Sequence, residues 1–321
     1  MQRAALPVAG FCPNLASTRK IREELPMDVI PLREGFGAEL RGVTLSDVAA
    51  SDAAYAAVRA AFEEHSVLVF RDQEVSDDVQ LAFSRRFGPP ETTKVGSMGT
   101  GSHFVILSTF GPDGKVVPSD HRQQLRAKAN QLWHTDSSFK RVPALTSILS
   151  ARIIPEHGGE TEFVSMRLAF ERLDKDVARR LENSFAWHSY AHSRSKVAAG
   201  LATTEEVDAL PPVCWRMVWR NPVNGRGALY LASHAYGVEG MDADAGKALI
   251  EQLTEAATAP GVSYLHQWKQ GDVVMWDNRA TMHRGRPWPA HEGRLMIRTT
   301  ISATDADGVA NMQLPSPQAT E

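Results

Sequence analysis

The chain has 321 residues, 43% hydrophobic and 23% charged, with a formal net charge of −3. That balance is ordinary for a globular protein and gives no electrostatic case for nucleic acid or an anionic membrane as partner. Its two cysteines, Cys12 and Cys214, make neither a disulfide framework nor a cysteine zinc site, so a reducing cytoplasm is expected and a metal would need histidine and carboxylate ligands.

Residues 1–26 read as a loose N-terminal arm, and no apolar run reaches the roughly 20 residues of a membrane span. "MDVIPL" and "AELRGVTL" read as short strands around the turn "REGFGA". A helix follows over "SDAAYAAVRAAFEEH", with Ser51 as cap and Tyr55, Val58 and Phe62 on one face. "SVLVF" is a buried strand, and "SDDVQLAFSRRFG" is a second capped helix stopped by Gly88. From there to Asn130 the chain reads as one long polar loop, a length at which loops are functional or disordered.

"ALTSILSARII", the turn "PEHGGE" and "TEFVS" read as strand, turn and strand. Helical text covers "MRLAFERL" and "KDVARRLEN", and a further helix lies near residues 242–258, with Leu249, Ile250, Leu253 and Ala257 as its stripe. The C-terminal part alternates: "VSYLHQW", "VVMW", "ATMHRG" and "RLMIRTTIS", separated by "KQGD" and "DNR" turns. The fold class expected is mixed α/β with an all-β core, closed or sandwiched, and helices packed outside. The tail over 305–321 is polar and is expected to be disordered.

"QLWHTDSSFK" carries the first chemical signal. On a strand, residues i and i+2 share a face, so His134 and Asp136 present an imidazole and a carboxylate together. With a remote histidine they would form a facial triad suited to non-haem Fe(II). The pair alone is weak evidence, and its plainer reading is a strand end whose Asp136 or Ser137 caps a turn. His283, just after the "DNR" turn, is the best third ligand among the eleven histidines. In "GRLMIRTT", Arg294, Met296, Arg298 and Thr300 share one face of a strand. If that face is a lumen, the two guanidiniums need anionic partners, because an unpaired buried charge is costly, and arginine takes carboxylates two bonds at a time. If it is an exposed edge, both are simply solvated. Thr161 follows the Gly-Gly turn and offers a hydroxyl, or is only a good strand former.

In order and spacing, "GFGAELRGVTL", "AFSRRFGP", "NQLWHTDSSF", "GGETEF", "VEGM", "GDVVMWDNRATMHRG" and "RLMIRTT" resemble the Fe(II)/2-oxoglutarate dioxygenases of the taurine dioxygenase type, over residues 27–304. Within these the chain is most similar to the 2,4-dichlorophenoxyacetate branch. The resemblance implies a double-stranded β-helix (jelly roll) with flanking helices. It implies that His134, Asp136 and His283 bind Fe(II), and that Thr161 and Arg294 hold the distal carboxylate of 2-oxoglutarate, with O2 as the other cosubstrate. Arg298 would grip the acid group of a small anionic substrate, with Lys94 and His234 as further contacts. Asn221, in "RNPVNGRG", stands where the phenoxyacetate enzymes carry a histidine. The activity implied is hydroxylation beside the ether oxygen of an aryloxyalkanoate, by a homo-oligomer. The same chemistry on taurine, another sulfonate or an alkyl sulfate stays open, as does a non-catalytic β-barrel that binds small acids. A zinc hydrolase has no HExxH or cysteine pattern to rest on.

Overall fold

The computed structural model describes residues 27–93 and 98–314, so the arm expected over 1–26 lies outside the described residues. β1 (Asp28–Arg33) and β2 (Phe36–Arg41) form the expected hairpin. Helices α1 (Leu45–Ala50) and α2 (Asp52–His65) follow. Ser51 does cap α2, its hydroxyl accepting from the Ala54 amide. β3 (Val67–Phe70) is wholly buried, and Ser76 caps α3 (Asp77–Arg85).

The stretch read as one long loop holds β4 (Val105–Ser108) and α4 (Arg122–Ala129). Neither has a local signature: β4 is four half-buried residues at a sheet edge, and "RQQLRAKA" has a single leucine and no apolar stripe. Then come β5 (Ala144–Ile153), β6 (Thr161–Ser165), α5 (Met166–Glu171) and α6 (Lys175–Glu182). The region that follows shows no sequence period, yet it contains β7 (Phe185–His188), α7 (Tyr190–Ser195), α8 (Thr204–Ala209), β8 (Val213–Arg216), β9 (Val218–Arg220), β10 (Gly227–Leu229) and β11 (Ala235–Val238). Elements of three to six residues are too short to display one. The chain continues through α9 (Ala243–Ala257), β12 (Tyr264–His266), β13 (Val273–Asp277), β14 (Thr281–Gly285) and β15 (Leu295–Ser302).

The expected disordered tail is corrected over residues 305–314. Two 3-10 turns, Asp305–Asp307 and Val309–Met312, fold back on the core. Val309 and Met312 are buried in it, and Trp219 Nε1 donates to the Asp307 carbonyl at 2.9 Å. Apolar side chains placed after a polar Asp/Gly turn supply what the composition hid. Residues 315–321 lie outside the described residues.

Seven strands form one sheet in the order β1-β2-β3-β13-β5-β15-β4, antiparallel except for the parallel β2–β3 pair. A second sheet has the order β12-β6-β14, a third β11-β7-β8, and β9 pairs with β10. Side-chain alternation divides the large sheet. Leu68, Phe70, Ile148, Val273 and Met275 pack with Val58, Phe62 and Phe83 of α2 and α3. Their neighbours Val69, Leu149, Val274, Trp276 and Met296 pack on the opposite side with Phe163 of β6. The large sheet and the β12-β6-β14 sheet therefore share one interior, into which the chemical residues project. The fold is mixed α/β with a large, mostly antiparallel sheet.

Candidate active site

His134 belongs to no strand, yet it pairs with β14 as a strand residue would. Its amide donates to the His283 carbonyl at 3.0 Å, and the His283 amide donates to the His134 carbonyl at 2.7 Å. Residues paired in this way carry neighbouring side chains, and the two imidazole centroids are 4.2 Å apart. Asp136, two residues on, completes a buried cluster whose ligand-capable atoms all lie within 4.8 Å of one another. His134 Nδ1 bonds the Leu132 carbonyl at 2.7 Å, which makes it the protonated nitrogen and leaves Nε2 as the free lone pair. Nε2 of His134 and Nε2 of His283 lie 3.9 and 3.7 Å from the Asp136 carboxylate.

The carboxylate is held from behind. Ser147 Oγ on β5 donates to Asp136 Oδ2 at 2.8 Å, and Asn278 Nδ2 donates to Ser147 Oγ at 3.1 Å. Asn278 Oδ1 accepts from the Asp136 amide and from Trp276 Nε1, both at 3.1 Å. Ser137 then turns the chain through φ +55, a left-handed conformation that costs a non-glycine residue about 1–2 kcal/mol. The cap expected of Ser137 is not made: its hydroxyl donates to Glu91 Oε2 at 2.9 Å, and Ser138 Oγ lies 3.3 Å from His234 Nδ1.

Burial works against both imidazolium ions, so the pKa values of His134 and His283 lie below the ordinary histidine range. Burial also opposes ionisation of Asp136. Arg298, His283, His134 and the Ser147 hydroxyl outweigh it and hold the carboxyl well below its usual range. Two neutral imidazoles and an ionised carboxylate on one face are the donor set that suits Fe(II).

The cluster lines a cavity of about 380 Å³, which Thr161, His234, Arg294 and Arg298 also line. On β15 and the residue before it the expected alternation holds: Arg294, Arg298 and Thr300 line the cavity, Met296 packs beneath it, and Thr299 turns away to Ser84 on α3. Arg298 Nη1 donates to Asp136 Oδ1 at 2.5 Å, while its Nε is buried without a partner. Arg294 is 8% exposed and has no acidic partner among the described residues. Its guanidinium stacks 4.9 Å above Trp288 and makes a long contact to the Gly159 carbonyl at 3.4 Å. Burial pulls its pKa down to about 10, so the charge persists at neutral pH. Gly159 has φ +73, and a Cβ there would meet Pro155 at 2.8 Å and Arg294 Nε at 3.5 Å. Thr161 Oγ accepts from Trp268 Nε1 at 3.0 Å.

His234 is buried, its Nε2 has no partner, and burial holds its pKa well below the histidine range. Its ring packs 4.7 Å from Phe139, and Phe139 packs 5.1 Å from Tyr190. Lys94 lies outside the described residues. Asn221 does not line the cavity; its Nδ2 donates to Glu63 Oε2 at 2.5 Å. Sequence reasoning missed Ser147, Asn278, Trp268 and Arg194. A serine inside the apolar "ALTSILS" was a usable signal for Ser147, and "DNR" read only as a turn.

Comparison with known proteins decides the family. The sequence profile of the taurine catabolism dioxygenase TauD, TfdA family matches residues 28–300. The chain belongs to this family. It is an Fe(II)- and 2-oxoglutarate-dependent dioxygenase, which removes the non-catalytic reading. Among curated TauD/TfdA relatives it is 38% identical to the alpha-ketoglutarate-dependent 2,4-dichlorophenoxyacetate dioxygenase of Cupriavidus pinatubonensis, over 84% of this chain and 96% of that protein. It is 34% identical to the (S)-phenoxypropionate/alpha-ketoglutarate-dioxygenase of Sphingobium herbicidovorans, over 88% of this chain and 97% of that protein. The crystal structure of AAD-2 in complex with Mn(II) and N-oxalylglycine superposes with a TM-score of 0.80 at 37% identity, covering 87% of this chain and 97% of that one.

Proposed function

We propose that the enzyme hydroxylates the carbon beside the ether oxygen of an aryloxyalkanoate such as 2,4-dichlorophenoxyacetate. The products are a phenol, a 2-oxo acid, succinate and CO2. The observation that carries this reading is a buried His/Asp/His cluster sharing one cavity with Arg294, a guanidinium that no described carboxylate neutralises. The aryloxyalkanoate relatives and the aromatic wall of His234, Phe139 and Tyr190 support the substrate class.

His134, Asp136 and His283 would hold the metal. Bound Fe(II), with 2-oxoglutarate and O2, supplies the oxidising power for C–H hydroxylation. The protein contributes position. Arg294 binds the distal carboxylate of 2-oxoglutarate, stacked on Trp288 so that its fork is pre-set, and Thr161 adds a hydroxyl oriented by Trp268. Arg298, with Nη1 on Asp136 and Nε unpartnered, offers its remaining nitrogens to the substrate acid. Neutral His234 gives the pocket a polar contact without a charge, and Lys94, outside the described residues, is proposed as a further contact to the substrate anion. Ser147 and Asn278 keep Asp136 ionised and aimed.

The same reading takes residues 27–304 as one dioxygenase unit with a double-stranded β-helix core, working as a homo-oligomer in the cytoplasm. Two sheets that line one interior support the core, and no helix among the described residues is long and apolar enough to cross a membrane. Sedimentation would test the oligomer. The activity test is incubation with Fe(II), ascorbate, 2-oxoglutarate and 2,4-dichlorophenoxyacetate. Succinate and 2,4-dichlorophenol in equal amounts are expected. Turnover confined to taurine, other sulfonates or alkyl sulfates would replace the aryloxyalkanoate reading.

A further inference from the structure

Among the described residues, six Lys and Arg side chains line the cavity: Arg122, Arg126, Lys140, Arg194, Arg294 and Arg298. Four already face an acid. Arg122 and Arg126 lie 3.8 and 3.0 Å from Glu206, Lys140 lies 2.5 Å from Glu91, and Arg298 lies 2.5 Å from Asp136. Two do not. Arg294 is taken up by 2-oxoglutarate in the reading above, and Arg194 remains. Its Nε is buried with no hydrogen-bond partner, and its side chain makes no ion pair with a described residue.

Arg194 is also held in place. It sits on α7 with its guanidinium 4.6 Å over the ring of Tyr190. Tyr190 is itself fixed, its hydroxyl donating to Glu206 at 3.3 Å and its ring packing on Phe139. Stacking pre-orders a guanidinium and leaves its N–H edge for an acceptor. Its place relative to the cluster follows from a chain of ring contacts: His134 lies 6.4 Å from His234, His234 4.7 Å from Phe139, Phe139 5.1 Å from Tyr190, and Tyr190 lies under Arg194. Arg298 instead bonds Asp136 directly. Arg194 therefore stands at the far end of this aromatic run, on α7, and Arg298 beside the cluster, on β15.

We propose that Arg194 is a specificity residue that binds an acidic group at the end of the substrate remote from Arg298, so that a diacid is the preferred substrate class. This rests on the aryloxyalkanoate reading: the acetate lies at Arg298, the ring lies along Phe139 and Tyr190, and a ring-borne carboxylate reaches Arg194. An anion there would satisfy the buried Nε–H and neutralise the cavity's remaining charge, whereas an apolar ring edge would leave both uncompensated.

The test is calorimetric binding of phenoxyacetate and 4-carboxyphenoxyacetate to the anaerobic protein loaded with Fe(II) and 2-oxoglutarate. The native protein is expected to bind the diacid at least about tenfold more tightly, the worth of one charge-assisted hydrogen bond. Arg194→Gln is expected to lose about tenfold more affinity for the diacid than for phenoxyacetate. No preference in the native protein, a preference retained in Arg194→Gln, or an equal loss for both probes would overturn the proposal. If neither aryl probe binds, the aryloxyalkanoate reading fails, and Arg194 is judged on hexanesulfonate against 6-sulfohexanoate. A diacid preference that Arg194→Gln abolishes would uphold its role, and any other result there would overturn it.

Discussion

Two clusters of buried charge draw on the β13–β14 hairpin, one on Asp277 and Arg279 at its turn and one on His283 in β14, and they differ in how they are balanced. In the first, Arg279 meets Asp277 at 2.9 Å and Glu63 at 2.7 Å, Arg167 meets Asp277 at 3.2 Å, and Arg59 bridges Glu63 and Asp307. Each of these charges has an opposite charge within ion-pair distance, so the group ties α2, α5, β13 and the C-terminal turns together. In the second, around His283, Arg294 has no acid beside it among the described residues; single atoms without a hydrogen-bond partner occur in both, Glu63 Oε1, Arg167 Nε and Arg279 Nη1 in the first and Arg298 Nε, His234 Nε2, His283 Nδ1 and Thr300 Oγ in the second, so the difference lies in the charge. A balanced buried network is architecture. A buried group left unbalanced in a polar cavity waits for a ligand, because the fold otherwise bears its desolvation for nothing.

The contrast can be broken most sharply at the metal end. Asp136→Ala is expected to abolish succinate formation and to weaken Fe(II) binding by more than about 100-fold, since loss even of an outer-sphere partner costs 10–100-fold. Full activity in that variant would refute the triad. The two arginines should then respond in opposite ways. Arg279→Met strands Asp277 and Glu63, and urea unfolding should show a loss of about 3–5 kcal/mol. Arg294→Met removes a charge that has no partner, so the ligand-free protein should be as stable as before or more so. Its affinity for 2-oxoglutarate should fall at least about 30-fold, the lower bound for breaking a buried charge pair. Equal destabilisation by both substitutions would erase the distinction.

A smaller test uses His188, which is as buried as either cluster but uncharged. Burial lowers its pKa from 6.5 to about 3. Below pH 6.5 the unfolded chain takes up a proton that the folded chain refuses until about pH 3. Its contribution to stability is therefore complete above pH 6.5 and is lost as pH falls through that window, by up to roughly 1.4 kcal/mol per unit. His188→Leu should remove that slope from unfolding curves measured between pH 6.5 and 4.

What could be read in the sequence follows the range of the interactions. His134-x-Asp136 and Arg294…Arg298 are same-face pairs on extended backbone, so residue spacing exposes them. The link from His134 to His283 is a backbone bridge between distant segments; the setting of His283 after the "DNR" turn made it the best candidate, and the family resemblance assigned it. Trp268 reaching Thr161, Ser147 reaching Asp136 and Arg194 reaching the cavity are contacts of the same distant kind, with no local pattern to announce them. The fold shows the same division. Long periodic elements such as α2, α3 and α9 are legible, whereas the short strands and helices between residues 183 and 241 form only because the sheets around them bury their one apolar side. The tail after 305 misled for the opposite reason: polar composition concealed Val309 and Met312, whose burial depends on a groove the chain builds elsewhere.

The most direct test of the site is a crystal structure of the protein with Mn(II) and N-oxalylglycine. The expected result places the metal on His134 Nε2, Asp136 and His283 Nε2, with the distal carboxylate of N-oxalylglycine on Arg294 and Thr161. A metal bound elsewhere, or that carboxylate lying on Arg298 with Arg294 still unpartnered, would contradict the division between ligand-binding and structural charge.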